Sequence, residues 1–208
     1  MTGYAKGKLK GKKQIELLDA VITSGQKLNT LTENILDVSK IEDNIFSIKK
    51  KKFNPSKSIS GIIKIFHSLL KKNKKNIKFE FNNTDKDCFV VDDRARIEQV
   101  ISNLVHNSIK SISRKDDKKE GLISISKEQG KVKGMRKSTY FKGQGQMIEV
   151  DIGDDGEGID PQTLPYLFTK FTKSIDGSGF GLYISKKIID THDGTMSARN
   201  SKIEWSRI

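Results

Sequence analysis

The sequence has little of what a secreted or membrane-inserted chain needs. It contains one cysteine, Cys88, so no disulfide can form within the chain, which is typical of reducing compartments. No apolar run approaches the roughly 18 residues of a membrane-spanning helix. The basic N-terminus lacks the apolar stretch of a signal peptide. We therefore expect a cytoplasmic chain without a membrane segment.

Aromatic residues are also scarce, at 7%, and their scarcity bears on the net charge of +13. A charge of this size is typical of proteins that bind nucleic acid or another polyanion. The lysines, however, are scattered along the whole chain, with clusters at residues 49–52 and 71–75, and aromatic residues do not alternate with them. We therefore expect no nucleic-acid partner.

The spacing of apolar residues divides the chain into a long helix, a linker and a mixed region. Over residues 14–45 apolar residues recur with heptad spacing, which predicts a helix whose seam packs against another helix. This helix either packs on its own domain or is one limb of a helical hairpin that dimerises. A basic linker follows and ends at Asn54-Pro55, a turn or helix-start signal. The predicted boundaries are residues 1–48, 49–56 and 57–208.

Beyond the linker, predicted helices alternate with predicted strands, which indicates an α+β sandwich. The stretch 128–146 is polar and glycine-rich, and we interpret it as a long hairpin loop. Helices are predicted after Pro55, over 93–113 and after the glycines that end at Gly181. Strands are predicted at 77–82, 88–92, 122–127 and 147–155.

Two stretches carry polar groups in an arrangement that suits a ligand. On the helix that contains residues 100–112, Asn103, Asn107 and Lys110 lie opposite the apolar face. A carboxamide oxygen can ligate Mg²⁺ and a lysine can neutralise phosphate, although an ordinary solvated helix face is the alternative. The second stretch, DIGDDGEGID, ends a strand in two acids followed by Gly156-x-Gly158. Such an acid can accept a hydrogen bond from an amino group, and the glycines leave room for a flat base.

Two further motifs follow along the chain. Phe168 and Phe171 are three residues apart, so core packing is the default interpretation. Gly177, Gly179 and Gly181 directly precede a helix, whose free N–H groups and dipole suit an anion. The spacing matches neither a Walker A loop nor a Rossmann fingerprint.

The order of these four motifs closely resembles the ATP-binding domain of sensor histidine kinases, within the superfamily of gyrase and mismatch-repair ATPases. The stretch NILDVSKIEDN in the first helix also resembles the end of the second helix of the dimerisation and phosphotransfer hairpin. The resemblance implies a two-layer α/β sandwich of the histidine-kinase ATPase type, preceded by a long helix from a helical hairpin.

The resemblance also implies ATP and Mg²⁺ as cofactors and a role for each matched residue. Asn107 would hold Mg²⁺ with support from Asn103, and Asp154 would accept from the adenine amino group. Lys110 and Lys173 would approach the phosphates. Phe168 and Phe171 would anchor the lid. The residues implied to bind ATP are Asn103, Asn107, Lys110, Asp154, Gly156, Gly158, Ile159, Phe168, Phe171, Lys173, Gly177, Ser178, Gly179, Phe180, Gly181 and Leu182.

The sequence departs from the family pattern at both ends. None of His67, His106 and His192 lies in a motif like His-Glu-x-x-Thr-Pro, so we assign no acceptor histidine and no catalytic base. Residues 1–6 would be the tail of the first hairpin helix, with the acceptor upstream. Near the C-terminus the expected glycine turn and closing strand are missing, so we expect the sheet to lack an edge strand.

The resemblance implies the catalytic part of a histidine kinase in a two-component system. The γ-phosphate of ATP would pass to a histidine and then to an aspartate in the receiver domain of a response regulator. The intact protein would form a homodimer through the hairpin helix. We expect this chain alone not to autophosphorylate, although it could act on an acceptor in trans. One alternative is a non-catalytic ATP-binding adaptor that dimerises and regulates a true kinase. Another is a basic nucleic-acid module, whose binding would fall steeply with salt and ignore ATP.

Overall fold

The structure is a computed structural model that divides the chain into two units, Met1–Phe46 and Ser47–Ile208. Within the ranges that it describes, no helix combines the length and apolar character needed to cross a membrane. The described residues are 3–43, 45, 47–83, 88–114, 120–130, 139–143, 146–170, 179–200 and 206–207.

Among its described residues the first unit contains one helix, α1, which spans Gly3–Glu42. Its 40 residues extend over about 60 Å at the standard rise per residue. The apolar side chains of Leu17, Val21 and Leu28 are 67%, 61% and 65% exposed. The expectation that residues 1–6 end a separate helix is wrong for residues 3–6, because these continue α1 without a break.

The second unit contains three further α-helices and eight strands among its described residues. In chain order these elements are β1 (Lys51–Phe53), α2 (Pro55–Lys72), β2 (Ile77–Asn83), β3 (Val90–Asp92), α3 (Arg94–Arg114), β4 (Gly121–Gly130), β5 (Thr139–Gly143), β6 (Gln146–Asp154), a 3₁₀ turn (Leu164–Tyr166), α4 (Gly181–Thr191), β7 (Arg199–Asn200) and β8 (Ser206–Arg207).

The main sheet has the strand order β2-β4-β6-β8-β7, and β5 also pairs with β6. The β2–β4 pair is parallel, whereas β6 is antiparallel to β4, β5 and β8. Because β5 pairs with residues 146–150 and β8 with Gly153 and Asp154, the two share one edge of β6. Strands β1 and β3 form a separate antiparallel pair.

The core lies between one face of the main sheet and the helices. Side chains alternate between the faces of a strand, so every second residue of β4 and β6 points to the same side. The apolar residues on this side are almost fully buried, as are those of α3 and α4 that face them. This arrangement of helices on a sheet confirms the predicted two-layer α+β fold. The buried residues include Ile123, Ile125, Ile148, Val150 and Ile152 of the sheet, and Ile101, Leu104, Ile184 and Ile188 of the helices.

Two helices begin at side chains that accept hydrogen bonds from the first turn. Asn54 precedes α2 and its Oδ1 accepts from the N–H of Lys57 at 3.3 Å. Asp93 precedes α3 and its Oδ1 accepts from the N–H groups of Ala95 and Arg96 at 3.1 and 3.2 Å. These contacts satisfy N–H groups that have no partner inside the helix, which fixes where each helix starts.

Three expectations from the sequence are wrong. The linker contains β1, and the stretch interpreted as one long loop contains β5, which pairs with β6. The sheet does have a strand near the C-terminus, since β8 pairs with both β6 and β7. These strands have two to five residues, too few for alternation to be visible in the sequence, and their pairing partners define them.

Candidate functional site

Asp154 places a carboxylate in the apolar layer between the sheet and the helices. Asp154 is the last residue of β6, and its side chain points to the same side of the sheet as those of Val150 and Ile152. It lies opposite Ile123 of β4. Asp154 is only 2% exposed. Its Oδ1 accepts a hydrogen bond from the N–H of Gly156 at 3.0 Å. A carboxylate that has lost this much water gains strongly from any additional N–H donor that reaches it.

Asp155, the next residue, has a different role. Its N–H donates to the carbonyl of Leu122 at 3.3 Å, and its Oδ1 accepts from the N–H of Leu122 at 2.9 Å. The Asp155 side chain therefore extends the pairing of β4 with β6 beyond the end of the strand. Of the two adjacent acids, Asp154 is the one that lies within the covered layer.

Gly156 packs directly against the backbone of α3. A Cβ at this position would touch Ser111 Oγ and would lie 2.6 Å from the carbonyl carbon of Ser111 and 2.7 Å from the nitrogen of Ile112. The hydroxyls of Ser108 and Ser111, one turn apart on α3, are buried without a hydrogen-bond partner among the described residues. Buried polar groups in this state are uncommon and need an explanation, such as a ligand that completes them.

Sequence reasoning missed both serines. Ser108 lies on the buried, mostly apolar face of α3, and neither serine belongs to one of the four motifs. The available signal was their spacing of three residues, which puts two hydroxyls side by side on a helix.

The segment after Gly156 is held from both sides. Arg114 of α3 forms an ion pair with Glu157 at 3.3 Å. Gly158 has a φ of +82°, a conformation that side chains rarely adopt. The N–H of Ile159 donates to Asn200 Oδ1 at 2.8 Å, and Asn200 Nδ2 donates to the carbonyl of Ile159 at 2.6 Å. The backbone after β6 is thus fixed between α3 and β7. We call residues 155–159 the glycine loop.

The polar face of α3 meets the start of α4. Asn103 Nδ2 donates to the carbonyl of Gly181 at 3.4 Å and to Ser185 Oγ at 3.3 Å. Asn107, one turn further along, is half-buried. Lys110 follows on the same face and is also half-buried. At Asn103 this face is therefore not an ordinary solvated one, because it contacts a second helix.

The N-terminus of α4 has the features of an anion site. Gly179 has a φ of +71°, Phe180 is buried at the cap position without a capping side chain, and Gly181 begins the helix. The first turn contains no acidic residue. Its N–H groups have no partner inside the helix and lie at the positive end of the dipole. Leu182 is half-buried beside them.

Phe168 is the member of the predicted lid that lies among the described residues. It is half-buried in the turn that follows the 3₁₀ turn. The other members of the lid and of the glycine run lie outside the described residues. These are Phe171, Lys173, Gly177 and Ser178.

A buried contact between a histidine and a carboxylate lies at the C-terminal end of α4. His192 Nδ1 donates to the carbonyl of Ile188 at 2.6 Å, and Nε2 faces Asp92 Oδ1 at 3.1 Å. The two side chains are 0% and 4% exposed. Burial alone lowers the pKa of His192, but the Asp92 carboxylate, the Ile188 carbonyl and the charge of Asp93 outweigh it and raise the pKa. The side chain of His192 therefore holds the end of α4 against Asp92.

The sequence and the fold both match known ATPases. Residues 92–208 match the family of histidine kinase-, DNA gyrase B- and HSP90-like ATPases. The autoinducer 2 sensor kinase/phosphatase LuxQ of Vibrio vulnificus is 26% identical over 200 residues, which cover 92% of this chain and 22% of LuxQ. Histidine kinase 5 of Arabidopsis thaliana is 27% identical over 215 residues, which cover 94% of this chain and 22% of that protein. The chain thus spans 22% of the length of these relatives.

Solved structures of the histidine kinase ThkA share the fold. Its catalytic domain is 28% identical with a TM-score of 0.60, covering 76% of this chain and 93% of that chain. ThkA in complex with the response regulator protein TrrA is 21% identical with a TM-score of 0.54, covering 99% of this chain and 61% of that chain, and shows the fold alone. The family match covers more than half of this chain. The chain therefore belongs to the histidine kinase-, DNA gyrase B- and HSP90-like ATPase family, and it carries the catalytic ATPase domain of a sensor histidine kinase.

Proposed function

We propose that this chain binds Mg²⁺ and ATP, and that it supplies the catalytic half of a transfer of the γ-phosphate to a histidine. A response-regulator aspartate then receives the phosphoryl group. The observation that carries the proposal is the position of the Asp154 carboxylate, buried beside the glycine loop and the wall of α3.

The residues around Asp154 fit an adenine base. Asp154 accepts from the exocyclic amino group, which gains a charge-assisted hydrogen bond inside a dry layer. The unpartnered hydroxyls of Ser108 and Ser111 can satisfy ring nitrogens on the same edge. Gly156 and Gly158 shape the wall of the base pocket, since Gly156 lets the loop lie directly against α3 and Gly158 lets it turn beside Asn200.

The residues around the start of α4 fit the triphosphate. The N–H groups of its first turn donate hydrogen bonds to the anion, and Gly179 and Gly181 carry no side chain that would occupy the anion's place. Lys110 adds a positive charge from α3. We also assign Lys173, Gly177 and Ser178 to the phosphate end, and Phe168 and Phe171 to the base of the lid.

Asn107 is the metal ligand that the proposal assigns. No group of three or more histidine, cysteine, aspartate or glutamate side chains converges within the described part of the chain. Mg²⁺ would be held by the Asn107 carboxamide oxygen together with oxygens of the nucleotide and water, which suits its preference for oxygen ligands. When bound, the ion neutralises charge on the phosphates. The protein itself contributes position and dipoles.

Two partners follow from the proposal. The exposed apolar side chains of α1 need a covering surface, and we assign this to the hairpin helices of a second copy, making residues 1–48 part of a dimerisation and phosphotransfer segment. The relative ThkA forms a complex with the response regulator TrrA, and we propose a receiver domain as the partner of this protein. We propose that the acceptor histidine belongs to a segment other than residues 1–208.

The first experiment titrates the purified chain with a fluorescent ATP analogue, with and without Mg²⁺. We expect Asp154→Asn to weaken binding at least about tenfold, since a charge-assisted hydrogen bond contributes about 1.5–3 kcal/mol. Asp151→Asn is the matched control, because Asp151 lies on the opposite face of the same strand. A folded wild-type chain that binds no ATP refutes the proposal.

A second experiment separates the kinase from the adaptor. The chain is incubated with radiolabelled ATP and a separate hairpin fragment that carries an acceptor histidine. Transfer of label to the fragment, lost in Asp154→Asn, supports the kinase. Nucleotide binding without transfer favours a non-catalytic ATP-binding adaptor that dimerises through α1.

A further inference from the structure

The side chain of Asn200 pairs with the backbone of the glycine loop as a strand would. Its Oδ1 accepts from the N–H of Ile159 at 2.8 Å, and its Nδ2 donates to the carbonyl of the same residue at 2.6 Å. One carboxamide therefore satisfies both the backbone donor and the backbone acceptor of a single residue. The two residues are 41 positions apart in the sequence, so the contact exists only in the folded chain.

The contact acts on the most unusual backbone of the loop. Gly158, with its φ of +82°, directly precedes Ile159. Asn200 Oδ1 would lie 3.3 Å from a Cβ at Gly158, so the carboxamide covers this peptide closely. On the other side of the loop, Gly156 packs on Ser111 of α3. Asn200 thus holds the end of the loop that α3 does not reach.

A loop with two glycines needs such an external support. Glycine gives the backbone access to many conformations, and ordering them costs about 1–2 kcal/mol per residue. Two hydrogen bonds to one side chain select a single conformation of the loop. They thereby keep the N–H of Gly156, which donates to Asp154, in place. The backbone of Asn200 is in turn held by its pairing with Ser206 of β8.

We propose that Asn200 is a positioning residue for the base site, which sets the shape of residues 156–159 and thereby the preference for adenine over other bases. Asn200 itself does not touch the nucleotide. The proposal rests on the proposed function, because it assigns the glycine loop to the base. It concerns base selection, so affinity contributed by the phosphates is not expected to depend on Asn200.

The test compares wild type with Asn200→Ala, Asn200→Asp and the control Asn82→Ala, an exposed asparagine on β2. Dissociation constants for fluorescent ATP and GTP analogues are measured on the full chain. We expect Asn200→Ala to weaken ATP binding about tenfold, the factor that one net hydrogen bond supplies, and to leave GTP binding nearly unchanged. Asn200→Asp keeps the acceptor but turns a carboxylate toward the Ile159 carbonyl, so it should lower the ATP preference as well. Asn82→Ala should match wild type.

A second measurement reports the contact without any nucleotide. Hydrogen exchange of the Ile159 amide should be faster in Asn200→Ala than in wild type or Asn82→Ala. If ATP binding and GTP binding weaken by the same factor and the Tm falls as well, Asn200 is merely structural and the proposal is overturned. Unchanged ATP preference and unchanged exchange also overturn it, while the proposed function stands. A folded wild type that binds no ATP overturns both, and exchange at Ile159 still reveals whether the contact forms.

Discussion

Gly156→Ala tests the close packing between the glycine loop and α3. The added methyl carbon would lie against Ser111 Oγ, 2.6 Å from the Ser111 carbonyl carbon and 2.7 Å from the Ile112 nitrogen. Carbon atoms in contact sit about 3.5–4.0 Å apart, so the two segments must separate by roughly 1 Å. The obstacle is the backbone of the last turn of α3, where Ile112 is buried in the core. We therefore expect the loop to move rather than the helix.

The expected loss of stability combines two opposing effects. Overpacking of this kind costs about 1–3 kcal/mol. Replacing glycine by alanine also restricts the unfolded chain, which contributes about 0.4–1 kcal/mol in favour of folding. We expect a net destabilisation of about 1–2 kcal/mol, equivalent to roughly 2–8 °C in Tm for a chain of this size. Binding of the ATP analogue should weaken in addition, because the displaced loop no longer faces Asp154.

The assay is urea unfolding of wild type, Gly156→Ala and the control Gly61→Ala. Gly61 lies inside α2 with nothing within 4 Å of an added Cβ. There the same substitution should stabilise the chain by about 0.5–1 kcal/mol, since alanine is the better helix former. If Gly156→Ala were as stable as wild type and bound the analogue equally well, the packing argument would be refuted. The same holds if both glycine variants lost stability equally.

Three other predictions concern the supports of the fold. Because the raised pKa of His192 lies above its ordinary 6.5, the pair with Asp92 stabilises the chain fully below pH 6.5, and this contribution disappears as pH rises through the folded pKa. Urea unfolding should therefore show the advantage of wild type over His192→Asn shrinking as pH rises from 6 to 9; a constant difference would contradict the ion pair. Asn103→Ala removes two hydrogen bonds to α4 and should cost about 1 kcal/mol and weaken ATP binding, whereas unchanged binding would show that α4 is placed without them. Asn54→Ala removes the cap of α2 and should lower the free energy of unfolding by about 1 kcal/mol with ATP binding unaffected; an unchanged unfolding midpoint would show that Pro55 alone starts the helix.

The parts of the fold that were predictable are those with long local patterns. The helices α2, α3 and α4 and the strands β4 and β6 are each long enough to show their period, and the alternation in β6 leads directly to Asp154 on the covered face. The order of the four motifs was likewise visible in the sequence, and the family match agrees with it.

The parts that were not predictable depend on contacts between distant residues. Strands β1, β5, β7 and β8 are too short for a pattern and exist because a partner strand lies beside them. The contact of Gly156 with Ser111 and that of Ile159 with Asn200 join residues about 40 positions apart. Local spacing contains no information about such pairs, so the supports of the candidate site emerged only from the structure.

Helix α3 also fixes the length of any ligand that uses the whole site. Asn103 holds the start of α4, and Ser111 supports the glycine loop at Gly156. The two residues are eight positions apart, so a rigid helix separates them by about 12 Å along its axis. With the base beside the glycine loop and the phosphates at the start of α4, as proposed, a ligand without phosphates extends only along the end of α3 that contains Ser111. A ligand with a base and a phosphate chain extends along α3 to Asn103 as well. Inserting a single residue between them would shift one support by 1.5 Å and rotate it by about 100°, which would uncouple base from phosphates without removing a single contact residue.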